Sequence, residues 1–232
     1  MPKHGKKYRA SIAKAPKTNV SMEEAVKFIK ANPGAKFDES VDISITLGVD
    51  PTKSDQSVRG TVTLPHGTGK KVRVVVFAAG AQADQAKAAG ADEVGYEDLI
   101  EKVKGGWTDF DVAISTTDAM KLVRTIARVL GPRGLMPNPK TGTVTDDIAP
   151  AVAAAKGGRV EFRMDRIGNL CCLIGKRSFD SEKLVQNAQA VLDAVKAARP
   201  ASAKGTFIKR VVLSSTMGVG LRIINQASAE KE

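Results

Sequence analysis

The sequence predicts an α/β protein of two domains, in which a discontinuous α+β base domain with an antiparallel sheet (residues 1–66 and 159–232) carries an inserted α/β domain with a parallel sheet (residues 67–158). Three observations predict it. Runs of alternating apolar and polar residues stand towards both ends of the chain, as strands with one face in a core require. The middle of the chain has short, almost wholly apolar runs alternating with helical sequence, the pattern of parallel strands covered on both faces. Glycine-rich junctions at residues 67–69 and 157–158 mark the places where one style gives way to the other.

Residues 1–19 scatter Lys, Ala, Pro and Ser without a period and read as a flexible basic tail. A helix begins at Ser21, whose hydroxyl caps the first turn while Glu24 reaches back to complete a capping box; Ala25, Val26 and Ile29 form its apolar face, and Asn32, Pro33 and Gly34 end it. Residues 41–47 then alternate strictly, four apolar side chains on one face and three polar ones on the other. Residues 57–64 repeat that style after Asp50 and Pro51, which suggests that the two strands pair antiparallel.

The apolar run at residues 72–77 opens the insert. It is followed by an Ala- and Gln-rich helix ending at Gly90, a short strand near residues 93–96, a helix over residues 97–104, a strand over 112–115 and a helix over 117–130. This β-α alternation makes the insert Rossmann-like in fold. Half-polar strands return at residues 159–164, 170–174 and 206–213, and between them Leu184, Val185, Ala188, Val191, Leu192 and Val195 form one helical stripe ended by Pro200. Glycine at both junctions would let the insert swing about the base, the alternative being that these are only tight turns.

With 36 Lys and Arg against 25 Asp and Glu, the formal charge is +11. A surplus of that size favours a polyanionic partner, although it also aids solubility. No run approaches the roughly 18 apolar residues of a membrane span, and the basic start lacks the apolar core of a secretory signal, so a cytoplasmic protein without a membrane partner is expected. Cys171 and Cys172 are adjacent, which suits neither an ordinary disulfide nor a zinc knuckle; reduced, partly packed thiols are expected.

Little in the chain could do covalent chemistry. The two histidines, His4 and His66, leave almost no material for acid–base work. Residues 67–71 (Gly-Thr-Gly-Lys-Lys) look like a phosphate loop, but Leu64 stands where the first glycine belongs, Lys71 where a Ser or Thr should hold magnesium, and the segment precedes a strand instead of following one. The G-x-G-x-x-G fingerprint is absent after residues 72–77. No catalytic residue, metal, cofactor or small-molecule substrate is expected; nucleotide-dependent catalysis remains the alternative of another class, detectable as a nucleotide-induced rise in Tm.

Polar and basic segments carry more. Lys121, Arg124 and Arg128 share a helix face that leads into residues 131–142, Gly-Pro-Arg-Gly-Leu-Met-Pro-Asn-Pro-Lys-Thr-Gly, where prolines could hold Arg133 and Lys140 rigidly against phosphates. An ordinary solvated face and surface loop is the other reading. Residues 214–220 end a strand in hydroxyls, a thioether and two glycines, a composition suited to the 2′-hydroxyls of an RNA minor groove. Phe37, beside charge just before a strand, is either a core residue or a stacking platform. With aromatic residues at only 4%, base stacking is not the general mode, and shape and backbone recognition of a folded RNA is preferred.

These segments together resemble the family of large-subunit ribosomal protein one in its bacterial form. The resemblance rests on Phe37, Glu39, Ser40 and Val41, on the 131–142 loop, on residues 161–168 followed by Ile174, Gly175 and Lys176, and on Ser215, Thr216, Met217 and Gly218. It implies that Ser214, Thr216, Met217 and Gly218 contact RNA, that Lys36, Phe37 and Ser40 flank them, that Arg163, Asp165 and Arg166 complete the surface, and that Arg133 and Lys140 add a secondary contact. The family often has histidine where this chain has Cys171, so that position is left out of the site.

The resemblance further implies a structural, ribosome-associated constituent of the large subunit. It would bind the stalk region of large-subunit rRNA, take part in releasing deacylated tRNA from the exit site, and repress translation of its own operon by binding its own mRNA leader. A basic RNA-binding protein acting off the ribosome is the runner-up. Thr216→Val is expected to cost about 1–3 kcal/mol of RNA affinity with folding largely intact.

Overall fold

A computed structural model describes residues 5–224, apart from the side chains of Ser54 and Lys140. The described chain separates into two compact units, one from the residues up to Gly69 and those from Val160 onward, the other from Lys70–Arg159. The fold class is the one the sequence predicts, an antiparallel sheet in the first unit and a separate parallel sheet in the second.

Helix α1 spans Lys6–Lys14, so this part of the basic terminus is helical where the absence of a period had suggested a flexible tail. Its Lys, Arg and Ala residues have good helix propensity, and the segment ends just before Pro16. Helix α2, Met22–Ala31, carries the expected capping box: Ser21 Oγ accepts from Glu24 N at 3.2 Å and Glu24 Oε2 from Ser21 N at 3.3 Å. A cap of this kind stabilises a helix by about 1 kcal/mol. Strand β1, Ser40–Leu47, alternates half-buried and buried residues along its whole length. Strand β2, Arg59–Thr63, does not pair with it. Both edges of β1 are taken by strands distant in sequence, which a reading of neighbouring alternation could not reveal.

The second unit runs β3 (Val74–Phe77), α3 (Ala81–Ala88), β4 (Glu93–Gly95), α4 (Glu97–Lys104), β5 (Val112–Ser115), α5 (Met120–Val123), α6 (Ala127–Leu130) and α7 (Ile148–Lys156). Its sheet has the order β4-β3-β5, all parallel, with β3 central and every residue of β3 buried. Val75 and Phe77 point into a core with Leu99, Val103, Val123 and Leu130, while Val74 and Val76 meet Ala86, Ile148 and Val152 on the opposite face. Side chains on alternate faces of one strand thus seed two cores, the reason β3 reads as continuously apolar. The helix expected over residues 117–130 is broken by a 3-10 turn at Arg124–Ile126.

Back in the first unit come β6 (Arg159–Arg163), β7 (Asn169–Lys176), α8 (Ser181–Ala197), β8 (Ile208–Ser215) and β9 (Leu221–Ile223). β7, β1, β8 and β9 form one antiparallel sheet in that order, and β2 and β6 form a separate two-stranded sheet. α2 and α8 bury Val26, Ile29, Leu184, Ala188, Val191 and Val195 with Ile43, Ile45, Ile174 and Leu213 from one face of the larger sheet.

Candidate nucleic-acid interface

Because opposed residues in a ladder share a face, the register defines the sheet surface that α2 and α8 leave open. Asp42 lies opposite Leu173 and Ser214, Ser44 opposite Cys171 and Val212, and Thr46 opposite Asn169 and Arg210; Arg222 extends the row onto β9 beside Val212. The face therefore carries hydroxyls, one amide and one carboxylate alongside Leu173, Cys171 and Val212, with arginines on β8 and β9. Ser44 Oγ lies 3.6 Å from Cys171 Sγ. Asp42 is half-buried, and its desolvation pushes its pKa up against the opposing pull of Lys176.

One end of this face is built around Glu39, whose side chain is completely buried. Its carboxylate accepts from Gly34 N at 3.1 Å, from Met217 N at 3.2 Å and from Ser215 Oγ at 3.5 Å, with Arg177 Nε at 3.9 Å. It thereby ties the loop before β1 to the turn after β8. The seam is closed by Thr216, whose Oγ1 accepts from Ser40 N at 3.0 Å and donates to Ser40 O at 3.3 Å. Lys176 Nζ donates to Ser40 Oγ at 3.0 Å, and Asp38 accepts from both Ser178 N and Ser178 Oγ. With their neighbours fixed in this way, Phe37 and Met217 stand 54% and 59% exposed, which decides Phe37 against a place in the core.

The structure thus brings together Lys36, Phe37, Ser40, Ser214, Thr216, Met217 and Gly218. Asp165 and Arg166 lie elsewhere: Thr46 pairs with Asn169 while Ser40 pairs with Lys176, so the turn before β7 is at the far end of β1, roughly 20 Å along the strand. Arg163 ends β6, in the smaller sheet, and is exposed. Asp165 is occupied with its own turn. Its Oδ1 accepts from Ile167 N and Asn169 N, each at 2.8 Å, and these backbone hydrogen bonds, that of Asn169 first, hold its carboxyl below the usual range. The turn presents Arg166 and an Ile167 that is 78% exposed.

Thr216 also changes meaning. Its hydroxyl is engaged at Ser40 as both acceptor and donor, so removing it also takes two hydrogen bonds from the seam. Sequence reasoning assigned no role to Glu39, although the residue stands in the segment that carries the resemblance. A buried carboxylate is visible only once a fold surrounds it. The open-face residues Asp42, Ser44 and Thr46 were legible as a polar face, but their neighbours on β7 and β8 depend on long-range pairing.

In the second unit, Arg133 is exposed and its Nη1 hydrogen-bonds to Thr108 Oγ1. The loop around it is folded on Asn138, whose N donates to Thr143 Oγ1 at 2.8 Å and whose carbonyl accepts from the Thr141 and Thr143 hydroxyls at 3.0 and 3.2 Å. Lys140 sits in the 3-10 turn Pro139–Thr141, its side chain outside the described residues. Cys171 is exposed and Cys172 buried, and burial pushes the Cys172 thiol up to about 12. Among the described residues no cluster of His, Cys, Asp and Glu could hold a metal ion, and no helix is long and apolar enough to cross a membrane.

Comparison with known proteins places this geometry in context. The family model described as the ribosomal protein L1p/L10e family matches residues 26–219. The chain is similar to the large ribosomal subunit protein uL1 of Mycobacteroides abscessus, 55% identical over 96% of this chain and 95% of that protein. It is likewise similar to the proteins of the same name from Kosmotoga olearia, 51% identical over 99% and 100% of the two chains, and Cutibacterium acnes, 56% identical over 95% and 96%.

Proposed function

The chain belongs to the ribosomal protein L1p/L10e family, structural proteins of the ribosome and not enzymes, and from that premise we propose that its first unit holds the stalk region of large-subunit rRNA on the open face of the antiparallel sheet. The observation that carries this reading is the set of polar residues Asp42, Ser44, Thr46, Asn169 and Ser214 on that face, closed at one end by the Glu39-tied turn with Phe37 and Met217 exposed. Hydroxyls and an amide can both donate to and accept from ribose 2′-hydroxyls and base edges, as a lysine cannot. Lys36, Arg163, Arg166, Arg210 and Arg222 supply the phosphate contacts around that surface, and Arg133 and Lys140 a secondary one from the second unit.

As the bacterial relatives' name implies for them, the protein works on the large subunit, in the cytoplasm. On the resemblance, it moves with the stalk as deacylated tRNA leaves the exit site, and it represses its own operon where the mRNA leader imitates the rRNA site. Binding of the purified protein to the stalk segment of large-subunit rRNA, against an unrelated structured RNA of equal length across a salt series, tests the reading. Each phosphate neutralised lowers log K by roughly 0.7–0.9 per unit of log salt, whereas contacts to ribose and bases add no such slope. Preference for the stalk segment that persists at moderate salt is expected. Equal binding to both RNAs, collapsing together with salt, would refute it.

A further inference from the structure

Glycines stand at both junctions of the insert, and each pair is held by one unit alone. Asn187, on α8 and fully buried, takes the first. Its Oδ1 accepts from His66 N at 3.2 Å, while its Nδ2 donates to Gly67 O at 3.0 Å and to Ile174 O, on the edge strand β7, at 2.7 Å. Thr68 is buried, and a Cβ on Gly69 would come within 2.7 Å of Phe179 Cε1 and 3.3 Å of Lys176 Cγ. With φ at 73°, Gly69 serves close packing in a left-handed turn, not freedom of movement. The residues that follow are tied into the second unit: Lys70 Nζ pairs with Asp111 Oδ1, and Arg73 N donates to Asp111 Oδ2 at 3.1 Å. At the other junction Gly157 caps α7, its N donating to Ala153 O at 2.7 Å, and Gly158, buried with φ at 91°, is the left-handed residue that commonly ends a helix. Arg159 lays its guanidinium against Gly142, where a Cβ would come within 2.8 Å of Nη2.

We propose that neither glycine pair is a hinge: Asn187 and Phe179 fix residues 66–69 to the base, residues 157–159 are fixed to the insert, and the insert turns about the bonds joining Gly69 to Lys70 and Arg159 to Val160. The inference rests on the reading that the protein moves with the stalk, and it makes Asn187 a positioning residue for that movement. Both N–H donors of its amide are engaged, so releasing the strand would strip a buried amide and the Ile174 carbonyl of their partners. The same root is joined to the Ser40 end of the sheet. Lys176 donates from Nζ to Ser40 Oγ at 3.0 Å while its stem lies against Gly69, and Ser178, next to Phe179, is bonded to Asp38. A displacement of that end of the base is thereby delivered to Gly69 without slack, and only the next bond yields.

The test is 15N relaxation of the full chain, because units that turn against one another give their amides separate correlation times. Residues 66–69 should relax with the first unit and residues 157–159 with the second, at backbone order parameters of about 0.85, the rigid value. Asn187→Leu, of similar size, should lower those of His66 and Gly67 below about 0.6 while the amides of β1 and β8 keep theirs. Order parameters below about 0.6 at residues 67–69 or 157–158 of the wild type would overturn the assignment, as would a folded Asn187→Leu in which residues 66–69 stay rigid. If that variant does not fold, the wild-type profile alone decides. One correlation time shared by both units would overturn the turning itself and leave the sheet-face reading standing. Absence of any preference for the stalk segment in the salt series would sink the RNA reading without touching the two pivots.

Discussion

Glu39→Gln is the change that most directly tests how the interface is built. Both carboxylate oxygens accept from backbone amides, Oε1 from Met217 at 3.2 Å and Oε2 from Gly34 at 3.1 Å, and the side chain is out of contact with solvent. Glutamine keeps the shape but makes one of the two positions an NH2 group. Whichever way the amide turns, one backbone N–H then faces a donor with no water to replace the lost acceptor. A hydrogen bond to a charged group contributes roughly 1.5–3 kcal/mol, and an unsatisfied buried donor costs a further 1–3, so a loss of about 2–4 kcal/mol is expected once the relief of burying a charge is set against it. In a protein of this size that lowers Tm by roughly 4–16 °C. Circular dichroism follows the melt, and hydrogen exchange at the Met217 and Gly34 amides localises it. Stalk RNA affinity should fall too, because the Thr216–Gly218 turn loses its tie to the loop before β1. A Tm within about 1 °C of wild type, with Met217 still protected, would refute the keystone role of Glu39.

Four other outcomes are expected. Thr216→Val should lower stability by about 0.5–1.5 kcal/mol as well as RNA affinity, since Oγ1 bonds Ser40 on both its N–H and C=O; a melt identical to wild type would contradict the seam. Asp165 has a depressed pKa, so its support of the 165–169 turn is complete above the ordinary carboxylate value and lost as pH falls through the lowered one. Amide shifts of Ile167 and Asn169 followed by NMR should move together at a pH below that ordinary value. Alkylation of the native protein near pH 8 should label Cys171 quickly and Cys172 only after unfolding, because burial keeps the Cys172 thiol protonated up to about 12; two equally fast thiols would contradict its burial. Asp42→Asn should raise affinity for the unrelated RNA more than for the stalk segment, measured in the same salt series.

Much of the fold was legible because its signals are local. The capping box at Ser21 and Glu24, the alternation of β1 and the unbroken apolar run of β3 each depend on residues within a few positions of one another, and each is observed. What escaped depends on partners far away in the chain. β1 pairs with β7 and β8, over a hundred residues downstream, and not with the strand that follows it. The basic terminus has no apolar period because α1 buries nothing, so no periodicity could announce it. The resemblance assembled most of the Ser40 end of the site, but the register alone puts Asp165 and Arg166 at the opposite end, and only the hydrogen bonds show the Thr216 and Asp165 side chains holding structure.

If the chain binds RNA as proposed, the placement of acids would let a protein with a charge of +11 be selective. A surface of lysines alone would attract any polyanion, and the energy so gained says nothing about sequence or shape. Here the open face carries Asp42 towards the Ser40 end of β1, half-buried and poorly solvated, among hydroxyls, one amide and the apolar Leu173 and Val212. A phosphodiester laid across that row would meet a carboxylate already short of water, whereas a ribose or base edge offers it a donor. Arginines, by contrast, stand on β8 and β9 and by the 165–169 turn. On the proposed RNA-binding reading, attraction would thus act at the arginines, while Asp42 would disfavour strands that present phosphate instead of sugar. On that reading the surplus of charge would draw RNA in, and Asp42 would help decide which fold of RNA can stay.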